Sequence, residues 1–191
     1  MTDAVGARGS GLGATDLSIL FFLAAAVFGT MLIEARRAAR NERAQRARGG
    51  VEPADDVYGL MRIAYPVAFA AMLAEGVLGA PASPAVVAAG LAVFAAAKAL
   101  KWWAILTLGP FWTFRVIVVP DAPLVRGGPY RWLRHPNYVG VVGELAGVAV
   151  AAAAPVSGVA AMTGFGVLLF KRIRVEERML ATAPRAAATS K

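Results

Sequence analysis

The 191-residue chain is 58% hydrophobic with a mean hydropathy of +0.59, too apolar for an ordinary soluble domain. Its net charge is +8, but the basic residues flank apolar runs instead of covering a soluble face, which excludes a nucleic-acid binder and points to a membrane. With no cysteine and one histidine, disulfides, thiolate metal sites, cysteine nucleophiles and multi-histidine metal centres are excluded.

The expected architecture is all-α: a polytopic membrane protein of about five transmembrane helices, ending in a helical hairpin. Residues 1–15 are small and Gly/Ala-rich and read as a disordered lead. A first span follows to about Ile33, read as a transmembrane helix and not a cleaved signal peptide, with Asp16 able to cap it. The helical pattern continues through Glu34–Gly50 with six arginines. This stretch is either a basic helix hugging anionic headgroups or a carrier of specific roles for Glu34, Asn41 and Glu42. Gly49-Gly50 ends it, and Val51–Tyr58 is a short acidic loop.

Leu60–Gly79 is the second span, with Pro66 as a potential kink, and Ala80–Pro84 is a tight turn. Ala85–Leu106 is the third; its Lys98 and Lys101 either snorkel to the interface beside Trp102-Trp103 or face a polar cavity. Thr107–Asn137 is a long polar connection, a length that usually signals function, with a short extended piece over Val116–Val119. Tyr138–Ala154 and Val156–Phe170 form two short Gly/Ala-rich spans joined at Pro155. Lys171–Leu180 carries the last helix into water, and residues 181–191 read as a flexible tail. With the N-terminus outside, every lysine and arginine of the 20 except Arg8 falls on or near the inner face.

On that face three polar clusters converge. The first is the loop containing Arg131, Arg134, His135 and Tyr138, with Pro129 and Pro136 setting turns or helix boundaries at Gly128 and His135. The second is Glu144, an ionisable group inside a span and so a functional hypothesis by default. The third is Arg172, Arg174, Glu176 and Glu177, which the hairpin forces against the first. Arg172 and Glu176 read equally as an i,i+4 ion pair. Arg131 and Arg134 are either headgroup anchors or binding residues, Arg134 being preferred for function because it adjoins His135. Such a site suits a small zwitterion: carboxylates for an amine, arginines for a carboxylate, aromatic faces for a cation.

These residues carry a resemblance. The run GPYRWLRHPNYVG, Gly128–Gly140, resembles the signature of the isoprenylcysteine carboxyl methyltransferase family, integral-membrane enzymes related to phospholipid methyltransferases. Arg172-Ile173, Glu176-Glu177 and Leu180 are similar to that family's RI-x-x-EE-x-x-L. The resemblance covers roughly residues 30–180, with Asn41–Pro53 and Thr107–Arg126 similar to a bacterial branch. It implies one methyltransferase domain over 16–180, its cofactor part over 107–180, and S-adenosylmethionine as cofactor. It implies that Tyr130, His135, Tyr138 and Gly140 line the cofactor pocket and that Arg172, Glu176 and Glu177 complete it. His135, Arg134 and Glu144 are the candidate catalytic residues, and no metal is expected. Eukaryotic members continue after the EE pair with a longer aromatic tail; here ATAPRAAATSK follows. The resemblance therefore points away from a prenylated protein. It points toward a carboxylate or hydroxyl oxygen on a lipophilic acceptor, such as a long-chain alkylpyrone or alkylresorcinol made by a type III polyketide synthase. The expected location is a bacterial cell membrane, C-terminus cytosolic.

Methyl transfer from a sulfonium is an in-line displacement that depends on holding the reactants collinear. A carboxylate acceptor needs no base; for an enol or phenol, His135 or a glutamate is the candidate. The rival readings are a phospholipid amine methyltransferase and a non-catalytic transport or lipid-binding protein, though no internal repeat of the transporter kind is visible.

Overall fold

The computed structural model describes residues 12–182. These residues hold five α-helices: α1 (Ala14–Ala47), α2 (Tyr58–Leu78), α3 (Pro84–Leu108), α4 (Pro136–Ala151) and α5 (Pro155–Thr182). Among the described residues the only strand-like pairing is one antiparallel bridge between Val51 and Val118, which fixes the extended piece expected after the third span. The rest of the N-terminal lead and of the tail lies outside the described residues.

Four helices, α1, α2, α5 and α3 with its continuation to Phe111, are long and apolar enough to cross a membrane. The fifth differs from expectation. At 1.5 Å per residue, the 16 residues of α4 rise about 24 Å, short of the roughly 30 Å hydrocarbon core. Instead of spanning alone, α4 is the inner helix: Val141, Glu144, Leu145, Gly147, Val148 and Ala151 are all buried. Its neighbours face outward with large apolar side chains, among them Phe21, Phe22, Leu78 and Val156. That distribution is stable only where the surroundings are lipid.

The helix boundaries follow local chemistry. Gly13, not Asp16, caps α1; Asp16 sits one turn in and accepts the Gly13 amide at 3.0 Å. Ser83 caps α3 ahead of Pro84, and Pro136 and Pro155 open α4 and α5, where a missing N–H costs nothing. Gly109, at φ 56°, ends α3, and Ala153, at φ 49°, turns α4 into α5.

Glycines set the closest helix pair, which is α3 with α4 and not the α4–α5 hairpin. A Cβ on Gly147 would stand 2.5 Å from the Phe94 amide nitrogen, and one on Gly140 would stand 2.8 Å from Lys101 Cβ. In α5, Gly164 and Gly166 have open space beside them.

One face of the basic continuation of α1 is taken up by the protein. Ala38 and Gln45 are buried, and polar side chains on that face hold the loop after α3. Asn41 Nδ2 donates to the carbonyls of Gly109 (2.9 Å) and Trp112 (2.7 Å), and Gln45 Nε2 donates to Pro110 (3.0 Å). The helix is a strut carrying the long loop.

Candidate active site

The strut, the loop and the ends of α2, α4 and α5 surround one cavity of about 1080 Å³. That exceeds the usual 300–1,000 Å³ of a small-molecule site. Its wall is mixed. Phe28, Met31, Leu32, Val119 and Leu124 form apolar parts; Tyr130, His135, Asn137, Tyr138 and Glu176 form a polar end. A second hollow, beside Gly76 and Ala152, holds about 20 Å³, room for little more than one water.

The polar end is built by the hairpin. Pro136 starts α4 and leaves His135 as its cap residue, so the His135 ring stands at the helix mouth, stacked on Tyr138 with centroids 5.5 Å apart. Opposite them, α5 runs about three turns past its apolar part. Tyr138 donates its hydroxyl to Glu176 Oε2 at 2.6 Å, and His135 Nε2 lies 3.3 Å from Glu177 Oε1. The hairpin thus unites the two sequence motifs. Arg134, largely exposed, comes within 3.6 Å of the same Glu177 oxygen. Tyr130 lies in a single 3-10 turn, Gly128–Arg131, made possible by Gly128 at φ 53°. Burial, and then the charge of Glu176, push its phenol above the ordinary range, so Tyr130 stays a neutral hydroxyl.

Arg172 lines the cavity as well, but it is also held by the protein on several sides. It is buried, and its guanidinium is consumed by the protein. One terminal nitrogen pairs with Asp56, the other donates to the Phe114 carbonyl at 2.5 Å, and Nε donates to Tyr138 at 3.3 Å. Asp56 in turn accepts the amides of Tyr58 (3.0 Å) and Val116 (3.0 Å). Arg172 therefore ties α5, α4, the acidic loop and the long loop together. Nearby, Arg178 grips Asp55 at 2.7 Å, and that hydrogen bonding holds the Asp55 carboxyl below its usual range. Sequence reasoning missed Asp55 and Asp56; the only signal was an acidic pair in a loop on the arginine-rich side.

Gly140 serves packing: it lets α4 lie against Lys101 and Ala97 of α3. Glu144 is 1% exposed and lies outside the cavity wall, in a buried ion ring with Glu34, Lys98 and Lys101. Lys98 Nζ reaches Glu34 at 3.2 Å and Glu144 at 2.9 Å; Lys101 Nζ reaches Glu34 at 2.7 Å and Glu144 at 3.3 Å. Neither lysine snorkels to the interface, because two buried carboxylates are within reach. Tyr65, unremarked in the sequence, donates its hydroxyl to Glu144 Oε2 at 2.6 Å.

Comparison with known proteins fits this geometry. An uncharacterized protein of Bacillus subtilis, YpbQ, is 31% identical over 144 residues, covering 75% of this chain and 85% of that protein. An uncharacterized protein of Haemophilus influenzae is 25% identical over 139 residues, 72% of this chain and 81% of its own. No solved structure matches. Residues 88–182, from within α3 through the polar cavity end to the last turn of α5, match the isoprenylcysteine carboxyl methyltransferase family. The chain belongs to that family of membrane methyltransferases.

Proposed function

We propose that the protein transfers a methyl group from S-adenosylmethionine to a carboxylate or hydroxyl oxygen of a lipophilic acceptor. The observation that carries this reading is the continuity of one cavity from the His135–Tyr138–Glu176 end to the apolar wall of α1 and the long loop. A charged donor and a greasy acceptor need both kinds of surface in one space.

The residues fit such a donor. Glu176 accepts from Tyr138 with one oxygen, and among the described residues its other oxygen has no hydrogen-bond donor, so it can take an ammonium. Tyr130 and Asn137 add neutral polar groups, and Arg134, exposed beside Glu177, is a cation on the cavity wall available to a carboxylate. The His135–Tyr138 stack offers an aromatic face to a sulfonium. S-adenosylmethionine, when bound, supplies an electrophilic methyl. The chain's part is to hold the acceptor in line and to keep water out. Glu177 fixes the His135 ring, and Arg172 fixes the loops that close the cavity. Gly140 and Glu144 support α4 from behind.

The family's membrane setting and the apolar wall support a lipid-like acceptor. A long-chain alkylpyrone or alkylresorcinol, the product of a type III polyketide synthase, has the required shape: a small polar ring on an alkyl chain. The bacterial cell membrane, with the C-terminus cytosolic, puts the polar end where the cofactor is made.

The test is binding of S-adenosylhomocysteine by the detergent-solubilised protein, followed by methyl transfer in membranes with labelled cofactor. The acceptor panel holds lipophilic acids, phenols, enols and phospholipid amines. Saturable binding and labelling of an oxygen acceptor are expected. A folded protein that binds no S-adenosylhomocysteine sinks the reading, and label on a phospholipid amine replaces the acceptor class.

A further inference from the structure

The ring of Glu34, Lys98, Glu144 and Lys101 is separate from the Tyr138–Glu176 and His135–Glu177 pairs at the polar end of the cavity. Pairing in a low-dielectric interior seldom repays the desolvation of four ionised groups, and an apolar core of the same volume packs as well. The ring also reaches the cavity: Glu34, Lys101 and Tyr65 line it, with Glu144 directly behind Tyr65.

Tyr65 is placed to do one thing. Its only hydroxyl hydrogen goes to Glu144 Oε2 at 2.6 Å, so toward any ligand it can only accept a hydrogen bond. Its ring is held against Phe165, centroids 5.0 Å apart, and Lys101 Nζ lies 5.3 Å from the ring centre. Both lysines are already shared between two carboxylates, and Arg172 is engaged on all sides. The buried cations beside Tyr65 are therefore all engaged, and other cations on the cavity wall, Arg62, Arg126 and Arg134, are exposed. Glu144 follows Tyr138 by six residues on α4, about 9 Å of helix rise. The Tyr65–Glu144 pair therefore lies about that much deeper than the Tyr138–Glu176 grip, on the same cavity.

We propose that Tyr65, backed by Glu144, takes the proton of an uncharged phenol or enol acceptor, so that the substrate class is a hydroxyl and not a carboxylate. This rests on the methyltransferase reading above. In the step, the acceptor oxygen forms a bond to the methyl carbon as the carbon–sulfur bond breaks, and sulfur keeps that electron pair. The acceptor's hydroxyl proton moves to the Tyr65 oxygen, and the Tyr65 hydroxyl proton moves to Glu144, which becomes neutral. The acceptor O–H grows strongly acidic as its oxygen is alkylated, which drives its proton along the relay.

The experiment uses the full-length protein, Tyr65→Phe, a long-chain alkylresorcinol and its fully methylated ether. Without any donor, the wild type binds the resorcinol about fivefold more tightly than the ether, which has no hydrogen to give, and Tyr65→Phe binds the two alike. With labelled S-adenosylmethionine, Tyr65→Phe turns over the resorcinol about 100-fold more slowly. That defect shrinks for a more acidic, ring-nitrated resorcinol, which a merely structural role would not produce. Wild-type turnover in Tyr65→Phe, or the same loss with both resorcinols, overturns the proposal. S-adenosylhomocysteine affinity separates the two levels: retained in the variant, it leaves the donor site standing whatever the relay does; absent in the wild type, it removes both. Should Tyr65→Phe fail to fold, equal wild-type affinity for resorcinol and ether overturns the relay.

Discussion

Glu176 and Glu177 are neighbours in the sequence but stand in different surroundings. Glu176 accepts the Tyr138 hydroxyl at 2.6 Å on the cavity wall, whereas Glu177 is half exposed beside His135 and Arg134. A charge-assisted hydrogen bond to a ligand is worth about 1.5–3 kcal/mol. Glu176→Gln should therefore weaken S-adenosylhomocysteine binding about 10- to 100-fold by calorimetry. Glu177→Gln acts only by loosening His135 and should cost less than about fivefold; equal losses would remove the distinction. Arg172 answers to a different measurement. Its Asp56 partner is buried with it, and removing one side of such a pair costs about 3–5 kcal/mol. Asp56→Ala should lower thermal stability in detergent far more than Asp55→Ala, whose pair with Arg178 is exposed. Comparable melting temperatures would show that the tie across the loops carries no weight.

At the scale of helices, small residues matter only where a neighbour sits against them. Gly147 meets the backbone of Phe94, which cannot move aside, while Gly164 and Gly166 face open space. Gly147→Ala should destabilise by about 1–3 kcal/mol through overpacking. Gly164→Ala should be neutral or stabilising by up to about 1 kcal/mol, since glycine weakens a helix interior. Thermal unfolding of the two variants reads the contrast, and a destabilised Gly164→Ala would mean that α5 packs on another surface there. This is also where sequence reading stopped. The hairpin was legible because its pieces are close along the chain: two apolar runs, Pro155 between them and one polar motif at each free end. The partners of those glycines were not, because α3 and α4 are separated by the long loop, and a small residue in an apolar run does not say which helix it faces. The ion ring was hidden for the same reason. Glu34, Lys98 and Glu144 each look like an isolated charge in a span, and only the meeting of Glu34 with Lys98, 64 residues apart, and of Lys101 with Glu144, 43 apart, makes them one structure. Arg172 and Asp56, 116 residues apart, repeat the lesson.

Over the whole molecule, polarity is divided between two ends. The Arg48–Val57 connection, the long loop and the last turns of α5 share one end, joined by Asn41, Gln45, Asp56 and Arg178. The turns at Ala80 and Ala153 belong to the opposite ends of their helices. Among the described residues, all but a few of the lysines and arginines lie with the first group. Charges of that sign tend to be retained on the cytosolic side of a membrane, so the proposed orientation puts the polar cavity end in the cytosol. The chain has no cysteine, so single cysteines can be placed without background. Ala80→Cys, in the exposed α2–α3 turn, should react with a membrane-impermeant maleimide in intact cells. Thr182→Cys, at the exposed end of α5, should react only after the membrane is permeabilised. The reverse pattern would turn the molecule over and put its polar cavity end outside, where no cytosolic sulfonium reaches it; labelling of both in intact cells would mean that the helices do not hold one orientation.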